Sequence, residues 1–299
     1  MVQYLSIMFS KISKLVRLRE TVFGLPWVLT SALLPFSAKD PSTINFLQDW
    51  RVWIWIVGAF ATARMAGMCF NRVIDRHIDA ANPRTAHRML PRGEMSAPLV
   101  SMLAWGYLGA FMGFCYLINP LCFMLSPIAA GLIFAYSYTK RLTAGCHFIL
   151  GLVASLGPVF AWAAVTGALA LPPFLLGGAL LLSIAGNDII YAMQDREFDA
   201  AAGLHSIPVA LGNKRAVVLA RCLHFAAVCF LFGAAIASGS NLVFYIGVIA
   251  AAGVYYYYHR QLEAKETGSV NRVFFLCNSR VALVLFIFTI GSVLWRVMY

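Results

Sequence analysis

Residues 172–194 read PPFLLGGALLLSIAGNDIIYAMQ. No charge occurs until Asp188, and the run matches the roughly 20 apolar helical residues that cross the hydrocarbon core of a bilayer. Such a segment has to be helical, because unpaired backbone groups are too costly in hydrocarbon. Two things make it more than an anchor. Asp188 is expected about two turns inside the span, and the span leads directly into Asp195-Arg196-Glu197-Phe198-Asp199. An ionisable residue within a membrane segment is a functional hypothesis by default.

The rest of the chain repeats the pattern. Eight further apolar runs lie near 21–37, 51–70, 98–117, 121–138, 146–166, 217–237, 241–258 and 279–299. Of the 299 residues, 61% are hydrophobic and 12% charged, about half the roughly 25% of an average soluble domain. The expectation is an all-α, polytopic membrane bundle of about nine transmembrane helices in two pseudo-related halves. It forms one domain over residues 1–299, with no room for a separate soluble part. Pro26 and Pro35 interrupt the first run. No cleavable signal is expected. The seven cysteines form no CxxC pair and fall mostly in apolar runs, so no disulfide is expected.

The net charge is +11, but it sits in alternate connections. Lys11, Lys14, Arg17 and Arg19 precede the first span. Arg72, Arg76, Arg84, Arg88 and Arg92 follow the second, Lys140 and Arg141 the fourth, Arg196, Lys214 and Arg215 the sixth, and Arg260, Lys265 and Arg272 the eighth. The opposite connections hold Lys39 and Arg51. The positive-inside rule therefore places the N-terminus in the cytoplasm and the C-terminus outside, in the plasma (inner) membrane. Basic residues in short loops, with no zinc-finger spacing and no basic helix interleaved with aromatics, argue against nucleic acid as a partner.

Two cytoplasmic connections carry the unusual chemistry. The first, about 71–97, contains Asn71, Asp75 and Asp79; the second, about 195–216, contains Asp195 and Asp199 and continues a motif that begins in the preceding span with Asp188 and Tyr191. Residues three and four apart share a helix face. Arg64, Asn71, Asp75 and Asp79 thus form one column, and Asp188, Tyr191, Asp195 and Asp199 another. The chain has only 12 acidic residues, and Asp75, Asp79, Glu94, Asp188, Asp195, Glu197 and Asp199 all fall in or beside these segments. A solvated face paired to nearby arginines would explain one such motif, but not two. Mg²⁺ prefers oxygen ligands, keeps several waters and bridges carboxylates to substrate phosphates. Two carboxylate columns therefore point to one or two Mg²⁺ ions holding a diphosphate. His77, His87 and His205 are scattered without zinc-ligand spacing.

At this point the sequence resembles the UbiA superfamily of membrane prenyltransferases. That family carries NxxxDxxxD after its second helix and DxxYxxxDxxxD at its sixth, matched here by Asn71/Asp75/Asp79 and Asp188/Tyr191/Asp195/Asp199. It also has a basic YxxxKR-like element after helix four, matched by Tyr136-Ser-Tyr138-Thr-Lys140-Arg141. The stretches from Asn71 to Arg88 and from Gly203 to Pro208 are similar to bacterial 4-hydroxybenzoate polyprenyltransferases, a branch that includes menaquinone enzymes of the futalosine route. Those relatives usually have His where this chain has Glu20. The resemblance implies transfer of a polyprenyl group from polyprenyl diphosphate to a hydroxylated aromatic carboxylate in ubiquinone or menaquinone biosynthesis. It implies Mg²⁺ as cofactor and a lipid bilayer as surroundings.

On that reading Asp75, Asp79, Asp195 and Asp199 bind metal, with Asn71 a weaker ligand or a supporting amide. Arg72, Lys140 and Arg141 bind diphosphate. Asp188 is either linked to the metal or a base near the acceptor. Arg64 either contacts substrate or pairs with a motif carboxylate. Tyr191 either donates to a phosphate or acceptor oxygen or only packs. Arg17 either holds the acceptor carboxylate in a bidentate pair or anchors the chain at the cytoplasmic face. Tyr255 to Tyr258 are read as an interfacial belt. Gly151, Gly157, Gly177 and Gly178 either open a groove for the isoprenoid tail or allow close helix packing. The rival reading from another class is an ion-coupled transporter, which would place its charges at the bilayer midplane on broken helices. Within the enzyme class the rivals are haem-farnesylating and chlorophyll-type prenyltransferases, and a dihydroxynaphthoate acceptor.

Overall fold

Polar residues and prolines at the ends of the apolar runs set where the helices start. Ser96 caps one helix by accepting from Leu99 N, and Asn119 caps the next by accepting from Cys122 N at 2.8 Å. Ser206 accepts from Val209 N at 3.4 Å. Each cap is followed by proline in the first turn, where the missing N–H costs nothing. The computed structural model describes residues 2–37, 49–264 and 270–298. Lys39 and Lys265, and the side chains of Arg19, Glu20 and Arg272, lie outside the described residues.

The described residues form twelve α-helices. They are α1 (Val2–Leu15), α2 (Leu18–Ser37), α3 (Trp50–Ile74), α4 (Arg76–Ala81), α5 (Ala97–Ile118), α6 (Pro120–Ala135), α7 (Cys146–Thr166), α8 (Leu171–Ala192), α9 (Arg196–Ala201), α10 (Ile207–Ala237), α11 (Leu242–Ala264) and α12 (Val270–Met298). Short 3-10 helices cover Tyr136–Arg141 and Met193–Asp195. Eight helical stretches among the described residues are long and apolar enough to cross a membrane. The ninth expected span, near 21–37, lies within α2, whose apolar part runs only from Gly24 to Ser37.

The chain divides into two compact units. One comprises Met1–Phe23 and Ile54–Tyr138, the other Gly24–Trp53 and Thr139–Tyr299. In the first, α5 and α6 pack as a hairpin turned at Asn119. α3 approaches α5 closely at Gly58, where a Cβ would lie 2.6 Å from the Phe114 ring. Phe70 of α3 meets Trp105 of α5 and Phe134 of α6 edge-on, at centroid distances of 5.0 and 5.2 Å. In the second unit α8 is central and packs against α7, α10 and α12. Its core gathers Trp27, Leu34, Trp162, Leu176, Leu231, Phe244 and Leu285.

The glycines of that core resolve one open alternative in favour of packing. A Cβ at Gly151 would overlap the Leu181 carbonyl, and one at Gly177 would lie 2.8 Å from Ser155 O, so α7 and α8 touch backbone to backbone. Gly178 faces the Phe230 ring and Gly157 faces Val28. Overpacking a close crossing costs about 1–3 kcal/mol. Gly151→Ala will therefore lower the thermal unfolding temperature in detergent, whereas alanine at Gly106, inside α5 with an open Cβ position, will not lower it.

Three expectations need correction. First, neither acidic motif lies on one unbroken helix. α3 ends at Ile74, and Asp75 adopts φ −90°, ψ 6° before α4 begins. α8 ends at Ala192, and Asp195 adopts φ −102°, ψ 1° before α9. The break is local, since Asp75 N still bonds Asn71 O at 2.9 Å and Asp79 N bonds Asp75 O at 2.8 Å. Asp188 accordingly lies about one turn, not two, from the end of α8. Second, the seventh span begins earlier. α10 starts at Ile207 and is kinked at Gly212, whose φ of +77° is accessible chiefly to glycine. Third, Tyr255 to Tyr258 do not form a uniform belt. Tyr255 and Tyr258 are buried, while Tyr256 and Tyr257 are exposed.

Candidate functional site

In the first unit the polar side chains form an ordered chain at the end of α3. Arg72 Nη1 donates to Asn71 Oδ1 at 3.3 Å, and Asn71 Nδ2 donates to Asp75 Oδ2 at 2.9 Å. A guanidinium only donates and a carboxylate only accepts, so the amide orientation is determined. Asn71 thus presents its oxygen to Arg72 and supports Asp75. Asp75 and Asp79 are 3% and 4% exposed, and burial of two carboxylates requires compensation.

The compensation at Asp79 is cationic. Arg88 Nη1 donates to Asp79 Oδ1 at 2.6 Å, and Arg72 Nη1 lies 3.9 Å from Oδ2. Arg72, itself buried, also feels the charges of Arg88 and Arg17. The buried Asp79 carboxylate thus has two guanidiniums beside it, and Arg17 lies within electrostatic reach of Arg72. Thr85 Oγ1 donates to Asp79 O at 3.0 Å, and Thr85 N bonds Asn82 O at 2.9 Å, so the 82–88 loop folds back onto α4. Arg17 occupies the joint between α1 and α2 with φ 49°, the one positive φ outside glycine among the described residues. Arg64, on α3, lies within electrostatic reach of Tyr136, whose hydroxyl donates to Gly67 O at 2.9 Å.

The second unit holds its acids differently. Asp195 occupies the joint after α8 and Asp199 lies on α9, both half-buried. The sequence Asp-Arg-x-x-Asp-Ala-Ala recurs at 75–81 and 195–201, and each copy makes a joint followed by a six-residue helix. Neither Asp75 nor Asp195 uses its carboxylate to cap that helix. Tyr191 is half-buried near the end of α8, and its carbonyl accepts from Gln194 Nε2 at 3.2 Å. Lys140 and Arg141 end the 3-10 helix after α6, with Lys140 O accepting from His205 N at 2.8 Å. His77, His87 and His205 are exposed.

Asp188 has a partner that the sequence did not suggest. Its Oδ2 lies 2.7 Å from His147 Nδ1, and His147 is buried in the first turn of α7. Arg88 was also missed as a site residue. In the sequence it reads as one of the loop cations, and a separation of nine positions across a loop gives no helical register with Asp79. A third unanticipated group is buried at Ser183, His224 and Tyr255 and half-buried at His259. Tyr255 Oη donates to Ser183 Oγ at 2.6 Å, and His224 bridges Ser183 O and His259 at 3.3 and 2.8 Å.

Among the described residues no group of three or more His, Cys, Asp or Glu side chains could hold a metal ion unaided. Mg²⁺ does not require such a group, because it keeps waters and uses one or two carboxylates plus substrate phosphates. Asp79 Oδ2 supports the same fit, being a buried carboxylate oxygen without a hydrogen-bond partner.

Comparison with known proteins gives the family and the fold. The model of the UbiA prenyltransferase family matches residues 29–280. The 4-hydroxybenzoate octaprenyltransferase of Aliivibrio fischeri (strain MJ11) is 31% identical over 252 residues, covering 84% of this chain and 86% of its own. The enzyme of the same name from Nitrosococcus oceani is 31% identical over 265 residues, covering 89% and 90%. The apo structure of a UbiA homolog from Aeropyrum pernix K1 has a TM-score of 0.79 at 28% identity, covering 94% of this chain and 98% of its own. A UbiA homolog from Archaeoglobus fulgidus bound to GPP and Mg²⁺ shares the fold, with a TM-score of 0.70 at 17% identity over 95% and 99%. The chain is a multi-pass membrane protein and an aromatic prenyltransferase, and it belongs to the UbiA prenyltransferase family.

Proposed function

We propose that the protein transfers a polyprenyl group from polyprenyl diphosphate to the ring of a 4-hydroxybenzoate-type acid in respiratory quinone biosynthesis. The observation that carries this reading is the buried Asp75/Asp79 pair beside Arg72 and Arg88. Carboxylates and guanidiniums crowded together at a helix end suit a metal-bound diphosphate better than either ion alone. The names and coverage of the relatives support the acceptor class.

Asp75, Asp79, Asp195 and Asp199 would hold Mg²⁺, with Asn71 orienting Asp75. When bound, the metal neutralises charge developing on the departing diphosphate. Arg72, Lys140 and Arg141 take the remaining phosphate charge. The allylic C–O bond breaks with its electron pair leaving on diphosphate, a ring carbon of the acceptor forms the new C–C bond, and the ring proton passes to water. Asp188 accepts a hydrogen bond from the acceptor hydroxyl and raises the electron density of the ring. Arg17 pairs with the acceptor carboxylate. Tyr191 and Arg64 complete the substrate contacts. The N-terminus and both acidic motifs face the cytoplasm of the plasma (inner) membrane, where Mg²⁺ and soluble diphosphate are available.

Purified protein in detergent or vesicles tests this directly. Diphosphate release is expected from a polyprenyl diphosphate only when both Mg²⁺ and 4-hydroxybenzoate are present, and EDTA should abolish it. Turnover with a dihydroxynaphthoate in place of 4-hydroxybenzoate would move the assignment to the menaquinone acceptor. Turnover with neither would reject the acceptor class.

A further inference from the structure

We propose that His147 is a positioning residue for prenyl transfer. It holds one oxygen of Asp188 so that the other is presented to the hydroxyl of the aromatic acceptor. This rests on the reading of Asp188 as the group that meets the acceptor.

The proton on His147 is located by its partners. Ile207 N donates to His147 Nε2 at 3.3 Å. A backbone N–H can only donate, so Nε2 carries a lone pair. An imidazolium would set two N–H groups against each other there. The ring proton therefore resides on Nδ1, which donates to Asp188 Oδ2 at 2.7 Å. Ile207 opens α10, and its N–H belongs to the first turn of the helix, whose donors have no intrahelical acceptor. Ser206 Oγ serves Val209 N in the same turn. His147 thus ties α7, α8 and the start of α10 together with one ring, and neither its tautomer nor its orientation is free to change.

Exposure separates the two partners. The His147 side chain is 2% exposed and that of Asp188 is 27% exposed. The carboxylate has a buried side, occupied by imidazole, and an open side. With Oδ2 engaged, Oδ1 is the oxygen left for a ligand. A carboxylate in the last turn of a helix otherwise rotates freely about its own bonds, so the clamp fixes the direction in which it accepts. Orientation of this kind is worth large rate factors, because a misplacement of about 1 Å costs roughly 100-fold. No metal chemistry is needed at His147, which uses both nitrogens on protein atoms.

Two amide variants separate the two nitrogens. In His147→Asn the amide nitrogen falls where Nδ1 was and can still donate to Asp188. In His147→Gln the amide falls where Nε2 was and can still serve Ile207, while Asp188 loses its donor. For the full-length enzyme, His147→Gln is expected to lower kcat by about 10- to 100-fold and raise KM for the acceptor. KM for polyprenyl diphosphate should hold within about twofold, and His147→Asn should recover most of kcat. Equal losses in the two variants, or none in either, would overturn the proposal. Thermal unfolding of both variants normalises activity to folded protein. If rates per folded molecule then match wild type, the role is structural and the proposal fails. Asp188→Asn run alongside isolates the underlying reading. Full turnover in that variant removes Asp188 from the reaction, whereas an inactive Asp188→Asn beside a wild-type-like His147→Gln removes only His147.

Discussion

Alanine at Asp75 or at Asp195 will reduce prenyl transfer at least about 1,000-fold, roughly 4 kcal/mol of barrier, with the protein still folded. The two residues occupy equivalent joints, each ending a long helix and starting a six-residue one. Neither carboxylate is consumed in capping the helix that follows it. Asp75 is additionally held by Asn71, itself held by Arg72, so Asn71→Ala should give a smaller loss than Asp75→Ala. The measurement is product formation at saturating Mg²⁺ and polyprenyl diphosphate, with far-UV circular dichroism and unfolding temperature as controls. Activity of either aspartate variant within about tenfold of wild type would remove that carboxylate from the metal–diphosphate site.

The acidic columns were legible in the sequence because charge is scarce in this chain. Twelve acidic residues in 299 leave little background, so two groups at helical spacing stand out, and long apolar runs read directly as spans. Other features follow from contacts that close only in the folded chain. His147 and Asp188 are 41 residues apart, and His224 and His259 are 35 apart. His147 and His224 lie among apolar neighbours, and His259 sits at the polar end of a span, so no local pattern marks any of them. The joints at Asp75 and Asp195 carry no proline or glycine to announce them, and the periodicity of the carboxylates runs through both. The start of α10 was obscured by Lys214 and Arg215, which read as loop. Tyr255 and Tyr258 were within reach of the sequence. They are three apart and share a face, which separates the buried pair from exposed Tyr256 and Tyr257.

Asp79 should behave differently from Asp75, because it carries structure as well as charge. Its Oδ1 is paired with Arg88 at 2.6 Å, its backbone oxygen holds Thr85, and buried Arg72 stands 3.9 Å from Oδ2. Removing one partner of a buried ion pair strands the other at a cost of about 3–5 kcal/mol. Here the upper end does not apply, since the Arg88 side chain keeps 20% exposure. Asp79→Ala is therefore expected to lower the unfolding temperature in detergent more than Asp75→Ala does. It should also make the 82–92 loop more susceptible to limited proteolysis. Adding Arg88→Met removes the stranded guanidinium but keeps the apolar stem, and the double variant should regain part of the lost stability while staying inactive. The cycle measures the coupling because neither substitution introduces a new charge. A double variant no more stable than Asp79→Ala would show that the pair contributes little to the fold.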